Sequence, residues 1–450
     1  MKRKIYDRLL KWKLDRNGKT AVLVNGARRV GKSYIVRQFA DNEYRSSIFI
    51  DFNKAGKSVK ELFDNYLDDI DTFYTYLSTY TNTRIYPGDS VLVLDEVQLY
   101  PRARAAVKYL LEDGRCDIIE TGSLISIKKN VEDIVIPSEE EELLLHPMDF
   151  EEFLWAMGNE TLMPLIRDNF EKCRAMGQAV HRKAMDYFRQ YLIVGGMPQA
   201  VAEYVESRDF SRVDHVKRQI LRLYRNDIHK YAKGYEAKVT KVFDTIPSQL
   251  QKHEKKFLLK ALSEEARMRD YETSFFWLAD AMIVNMAYNT TSPDVGLGIN
   301  EENSTLKCYM ADTGLLLSHA FSDRDIVSEG LYNKILTDKL EFNGGMMIEN
   351  VVAQMLRTSG HKLYFFSKYD KSHAWERMEL DFLITKNTVT SRHNISPIEV
   401  KSSIRYTLTS LMKCINKYGQ YLSVPYVAHT GDLKENGGVV YIPLYMVPLL

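Results

Sequence analysis

The stretch "NGARRVGKS", Asn25 to Ser33, follows the apolar run "AVLV" (21–24) and precedes "YIVRQFA" (34–40), so a glycine-rich turn separates a strand signal from a helix signal. Gly26, Gly31, Lys32 and Ser33 satisfy the spacing G-x-x-x-x-G-K-[ST]. Glycines let successive backbone N–H groups curl towards one anion, and a helix beginning at Lys32 adds the positive end of its dipole. The Lys32 ammonium then reaches the outer phosphates, and the Ser33 hydroxyl suits a magnesium ion. The expected cradle runs from Gly26 through Ala27, Arg28, Arg29, Val30 and Gly31 to Lys32, Ser33 and Tyr34. Spacing leaves Arg28 and Arg29 open between phosphate contact and solvent, and assigns no arginine finger.

Outward from the loop, strand and helix signals alternate. "SSIFIDFN" (46–53), "SVLVLDEVQ" (90–98) and "CDIIETGS" (116–123) read as strands, with helices predicted over "SYIVRQFA", "VKELFDNYLDDIDTFYTYL" and "RARAAVKYLLEDG". Short apolar strands separated by helices are what a parallel sheet covered on both faces requires. In "VLVLDEVQ" an apolar strand ends in two adjacent acids, a costly arrangement unless the carboxylates have work at its carboxyl end. Asp95 is the expected magnesium partner, and Glu96 the group that polarises an attacking water. Thr121 and Ser123, ending the next strand, are alternative candidates for sensing a γ-phosphate where a strand lies between the loop strand and the acidic strand.

Composition sets the bounds. A chain of 450 residues suggests roughly three domains. A formal net charge of +1 argues neither for nor against nucleic acid, because opposite patches cancel. Cys116, Cys173, Cys308 and Cys414 show no C-x-x-C spacing, which excludes a thiolate zinc signature and fits a reducing, cytoplasmic setting. In the basic start "MKRKIYDRLLKWKLDR", Ile5, Leu9 and Trp12 recur at helical spacing and form no signal-peptide core. No run approaches the ~18 apolar residues of a membrane span.

Beyond the acidic stretch "PSEEEELLLHPMDFEEFL" the sequence is mostly helical to about residue 265, and from 211 to 270 it turns basic. A charge run of this kind is most simply a solvated helical face. "MIVNMAYN" and "LKCYMAD" then suggest a two-stranded ribbon, and helices closed by a ribbon suggest a winged helix. His229, His253, His361 and His373 share no ligand spacing, and Trp277 in "SFFW" reads as core rather than as a base-stacking platform.

Several of these stretches together resemble the prokaryotic AAA-type ATPases whose C-terminal half carries the domain of unknown function DUF4143. The marks are "GARRVGKS", "VLVLDEVQ", "TGS", "HPMDFEEFL", "VGGMPQAV", "LYRNDIHKYAK", "IPSQL", "YMADTGLL", "IEN", "ELDFLI" and "PIEVKSS", in order over nearly the whole chain. The resemblance implies an α/β fold: a P-loop core over residues 1–145, a helical lid over 146–205, a winged-helix region over 206–325 and a restriction-endonuclease-like domain over 326–450. It also implies ATP rather than GTP, with Mg2+. One departure stands out. Relatives commonly carry a glycine followed by arginine or an aromatic before "PMDFEEFL", where this chain reads "IPSEEEELLLHP".

The C-terminal residues have a chemical reading of their own. Asp381 lies in one apolar strand signal, Glu399 and Lys401 two apart in the next, and Glu349 in a preceding helix signal. Helical Glu, strand Asp and Glu-x-Lys is the arrangement of metal-dependent nucleases, in which Glu349, Asp381 and Glu399 would hold magnesium and Lys401 would stabilise the attacking water. Glu379, on the face of Asp381, is an accessory acid. Three functional readings follow: a nucleotide-driven switch or motor on DNA or RNA, a signalling or scaffold ATPase with an inactive C-terminal fold and protein partners, or a plain nuclease in which ATP binding only orders the structure. Homo-oligomerisation fits each, and none needs a membrane.

Overall fold

The computed structural model describes residues 1–16, 18–123, 139–252, 255–294, 296–322, 344–368, 376–385, 393–403 and 405–450. They form two compact units: Met1–His146 with Asp280–Met282, and Pro147–Ala279 with Ile283–Leu450. His253 and His373 lie outside the described residues, as do the first three residues of "IPSEEEELLLHP".

In the first unit, helix α1 (Ile5–Arg16) buries Ile5, Leu9 and Trp12, the residues at helical spacing in the sequence. Strand β1 (Ala21–Asn25) leads to α2 (Lys32–Glu43), then β2 (Ser46–Asp51), α3 (Lys57–Asn65), α4 (Ile70–Thr81), β3 (Ser90–Asp95), α5 (Pro101–Asp113), β4 (Asp117–Gly122) and β5 (Glu140–Leu144). All five strands are parallel, in the order β2-β3-β4-β1-β5. The loop strand and the acidic strand are therefore separated by β4, as the Thr121–Ser123 reading required. Every residue of β1 and β3 is buried, the continuous apolar signature of a sheet covered on both sides.

Two elements depart from expectation. The single helix predicted over 59–77 is broken into α3 and α4, because the Asp69 side chain accepts from the Thr72 backbone N–H at 3.1 Å and starts a new helix. The acidic stretch supplies an edge strand, β5, whose charges each find a partner. Glu140 meets the buried Arg104 at 3.0 Å, Glu141 meets Arg16 at 3.1 Å, and Glu142 accepts from Asn25 at 2.7 Å. A charged edge strand also resists pairing with another chain.

The second unit opens with helices Phe150–Ala156, Leu162–Glu171, Gln178–Val194, Pro198–Ser207, Phe210–Tyr231, Glu236–Leu250 and Met268–Asp280. Among the described residues its sheet has eight strands. The ribbon is β6 (Val284–Thr290) with β7 (Glu301–Met310), followed by β8 (Leu363–Lys368), β9 (Met378–Thr385), β10 (Ile395–Val400), β11 (Tyr426–His429), β12 (Lys434–Asn436) and β13 (Val439–Pro443). They are ordered β12-β13-β11-β10-β9-β8-β6-β7. The ribbon thus continues across the boundary expected at 325/326: Ala287–Thr290 pair in parallel with Leu363–Phe366, which satisfies the outer hydrogen-bonding edge of β6.

Glycines explain two of the quoted motifs. The Gly196 N–H donates to Asp312 Oδ2 at 2.5 Å, and Asp312 Oδ1 accepts from the Leu315 N–H at 2.8 Å, capping helix Thr313–Ala320. A Cβ on Gly195 would overlap the Asp312 carboxylate and one on Gly314 the Val194 carbonyl, so "VGGMPQAV" and "YMADTGLL" are two sides of one close approach.

Candidate nucleotide site

Gly31 takes φ 95°, ψ 22° immediately before α2, a left-handed conformation that glycine adopts without a Cβ penalty. The N-terminus of α2 has no side-chain cap, so its first N–H groups remain directed at whatever lies in the loop. At the loop's other end a Cβ on Gly26 would overlap the Leu145 carbonyl oxygen just past β5, and the Leu145 N–H donates to the Asn25 carbonyl at 2.7 Å. Both motif glycines are therefore required by space or by φ. Arg29 also sits at positive φ, 71°, and the side chains of Arg28 and Arg29 are exposed, as is that of Tyr34.

Lys32 is 5% exposed, and its ammonium donates to the Gly26 and Ala27 carbonyls at 3.0 Å each. The lysine folds over its own loop, poised above the position that anionic oxygens would take. Arg3, missed in the sequence reading, clamps the same loop: it donates to the Val30 carbonyl at 3.0 Å and to the His146 carbonyl at 2.7 Å. Its only sequence signal was a basic "MKRK" that resembles any helix flank.

The acidic side of the site is built on β3 and β4. The Ser33 hydroxyl donates to Asp95 Oδ1 at 2.8 Å, and the Thr121 hydroxyl donates to the same oxygen. Thr121 also accepts from the Glu96 N–H at 3.3 Å. Burial pushes the Asp95 carboxyl above its ordinary range, against the opposing pull of the Thr121 and Ser33 hydroxyls. Register places Asp51 at the end of β2 beside Asp95, an acid the sequence reading did not single out.

Glu96 takes φ 55°, ψ 47°, which turns its side chain off the end of β3. A non-glycine residue held there is strained unless its surroundings fix it. Gln98 Nε2 donates to Glu96 Oε2 at 2.6 Å, and the Ser123 hydroxyl lies 3.4 Å from the same atom. Of the two alternatives at the end of β4, Thr121 is fully buried and engaged with Asp95, which leaves Ser123 facing Glu96.

The donor set fits a magnesium-bound triphosphate. Mg2+ binds through one or two protein oxygens, with phosphates and water completing its shell. Ser33 and Asp95 place one hydroxyl and one carboxylate side by side, and the uncapped N-terminus of α2 and Lys32 would supply the phosphate contacts.

The C-terminal carboxylates form a different cluster. Lys307 on β7, 1% exposed, lies 3.1 Å from Glu349, 3.5 Å from Glu379 and 4.0 Å from Asp381. Lys255 reaches the other Glu349 oxygen at 2.5 Å, and the Tyr309 hydroxyl donates to Glu349 Oε1 at 2.5 Å. Asp381 Oδ2 accepts from the Val400 N–H at 2.7 Å, and Lys401 pairs with Glu399 at 2.7 Å. Lys307 and Lys255 help draw Glu349 down to about 2, whereas burial pushes Asp381 up to about 6 and Glu399 up to about 8. Among the described residues no group of three or more His, Cys, Asp and Glu is placed to hold a metal ion. Where magnesium was expected on Glu349, Asp381 and Glu399, the Lys307 ammonium stands beside Glu349 and Asp381.

Other sequence readings fall as follows. Lys217, counted in the basic run, is wholly buried and donates to the Ile193 carbonyl at 2.8 Å. Arg222, Lys230, Lys241, Lys260 and Arg267 are exposed, as is His229. Trp277 is buried, and His361 Nε2 lies 3.1 Å from the Leu450 carbonyl.

Three family models match the chain: AAA domain over residues 18–154, domain of unknown function DUF8612 over 185–325, and domain of unknown function DUF4143 over 344–447. No curated protein matches. Among solved structures, the Walker-type ATPase paby2304 of Pyrococcus abyssi is 16% identical, with 71% of this chain and 95% of that one covered at a TM-score of 0.42. Drosophila ORC bound to DNA is 13% identical, covering 70% and 94% at 0.29. Cdc6p from Pyrobaculum aerophilum is 12% identical, covering 76% and 96% at 0.26.

Proposed function

We propose that this chain, which joins an AAA domain to a C-terminal DUF4143 domain, is an Mg2+-dependent ATPase whose nucleotide state switches the action of its second unit on a macromolecular partner. One observation carries the reading: Ser33, Asp95, Thr121 and Glu96 are linked hydroxyl to carboxylate to backbone at the mouth of a glycine loop that carries a buried lysine and an uncapped helix N-terminus.

The roles follow from position. The loop amides and Lys32 bind the phosphates and neutralise charge as the terminal group leaves. Asp95 and Ser33 would hold the magnesium, which would supply charge neutralisation for the phosphates. Glu96 orients the attacking water and takes its proton, and Ser123 beside it reports whether the terminal phosphate is present. The match to an AAA domain supports adenine as the base. No helix among the described residues is long and apolar enough to cross a membrane.

The partner we favour is DNA or RNA, met by the winged-helix region expected over 206–325; exposed Arg222, Lys230, Lys241, Lys260 and Arg267 suit phosphates. The lid at 146–205 and the nuclease-like domain at 326–450 belong to this proposal, as does homo-oligomerisation. The Lys307 cluster favours a second reading, a scaffold whose C-terminal unit only binds, with a protein as partner. Calorimetry with ATP and MgCl2 tests the nucleotide site: wild type should take up one ATP and Lys32→Ala none. Fluorescence anisotropy with labelled DNA and RNA across a salt series then tests the partner. Affinity that falls with salt and differs between ATP and ADP supports nucleic acid, and salt-independent failure to bind either polymer refutes it.

A further inference from the structure

We infer that Lys307 is the resident cation of the C-terminal carboxylate cluster, standing where a nuclease of related geometry would hold a divalent metal, so that this unit binds its partner without hydrolysing phosphodiesters.

The inference starts from a side chain that ought to be absent. A lysine 1% exposed on the strand β7 is expensive unless anions surround it. Here three carboxylates from two elements do: Glu349 from helix Gly344–Thr358 at 3.1 Å, and Glu379 and Asp381 from β9 at 3.5 and 4.0 Å. The Phe365 ring centroid is 5.1 Å from the same nitrogen, adding a cation–π contact from β8. These are the acids, on the elements, that the sequence pattern assigned to magnesium and its surroundings. The ammonium supplies the positive charge they need.

Little is left for a metal. Both oxygens of Glu349 are occupied, one by Lys255 and the other by Lys307 and Tyr309. Asp381 Oδ2 is held by the Val400 N–H, and Glu399 Oε1 by Lys401. That leaves Asp381 Oδ1 at 4.0 Å from the ammonium, the Glu379 carboxylate with Oε1 at 3.5 Å from it, and Glu399 Oε2, a buried oxygen without a partner among the described residues. A divalent ion on Asp381 Oδ1 would stand against an ammonium already 4.0 Å from that oxygen, and like charges repel strongly at this range in a buried site. The donor set does not fit magnesium, and no hydrolytic step through it follows. Glu349, Asp381 and Lys307 instead tie the helix to β7 and β9, fixing the face of the sheet that carries Lys401.

The full-length, nucleotide-free protein tests this. Mn2+ binding is counted by electron paramagnetic resonance for wild type and Asp381→Asn, a substitution that keeps an oxygen to accept from the Val400 N–H. Cleavage of plasmid DNA and of RNA is followed in Mg2+ and in Mn2+. Equal Mn2+ stoichiometry in the two proteins, with no cleavage that depends on Asp381, is the expected result. One additional Mn2+ in wild type, or cleavage lost in Asp381→Asn, overturns the inference. Lys307→Ala adds an independent arm: its melting temperature should fall, and Mn2+ should raise it while leaving wild type unchanged. A Lys307→Ala protein that melts like wild type also overturns it. If that variant fails to fold, the comparison with Asp381→Asn still decides.

Discussion

Glu96→Gln separates nucleotide binding from turnover. The substitution keeps the size of the side chain and one carbonyl oxygen, so Gln98 at 2.6 Å still has an acceptor and the strained φ of 55° is still held. What disappears is the negative charge and the ability to take a proton from water. Positioned general bases contribute about 10²–10⁴ in rate, and at ~1.36 kcal/mol per tenfold that is ~3–5 kcal/mol of transition-state stabilisation. Removing the charge also relieves its repulsion of Asp95, so the magnesium carboxylate ionises more readily in the variant, and ATP affinity should hold within about threefold. Steady-state phosphate release gives kcat, and calorimetry with a non-hydrolysable analogue gives Kd. A fall of about 100-fold or more in kcat with Kd preserved is expected. Turnover within about threefold of wild type would refute the assignment of Glu96, and a parallel loss of affinity would show that it acts in binding instead.

Three further outcomes follow from particular side chains. Arg104→Met strands Glu120, fully buried, opposite Glu140, and breaking such a buried pair should cost about 3–5 kcal/mol in urea unfolding, with recovery when Glu120→Gln is added; unchanged stability would show the cluster to be neutral. Gly196→Ala forces a Cβ against the Met148 carbonyl and should destabilise by about 1–3 kcal/mol, measured by the same unfolding curve; wild-type stability would mean that the motif relaxes freely. Burial lowers Lys217 from 10.5 to about 8, so between those pH values the unfolded chain holds the extra proton and stability rises with pH, a contribution lost again as pH falls through 8. The difference in unfolding free energy between wild type and Lys217→Met should therefore change by ~3 kcal/mol between pH 7 and 10.5, and a flat difference would place the lysine in solvent.

The candidate nucleotide site is legible in the sequence because its chemistry is local. Backbone amides need glycine at fixed spacing, and an acid pair at the end of an apolar strand is costly anywhere else. Side chains that reach the loop from far along the chain left no such mark. Arg3 reads as one more basic residue near a helix, Asp51 becomes visible only when β2 and β3 align, and β5 was hidden by glutamates whose partners, Arg104, Arg16 and Asn25, are scattered over the first unit.

The C-terminal cluster shows the same limit with a larger consequence. Strand periodicity put Asp381 beside Glu379, and Glu399 beside Lys401, because side chains two apart share a face. Whether those acids enclose a metal depends on what the neighbouring elements bring, and "LKCYMAD" reads as an ordinary ribbon strand until register sets its lysine beneath helix Gly344–Thr358. Motif spacing records which groups one strand can present. The counter-charge comes from another strand, and here it is a lysine, so the same acids that would cut a polymer with magnesium are held in a closed ion network.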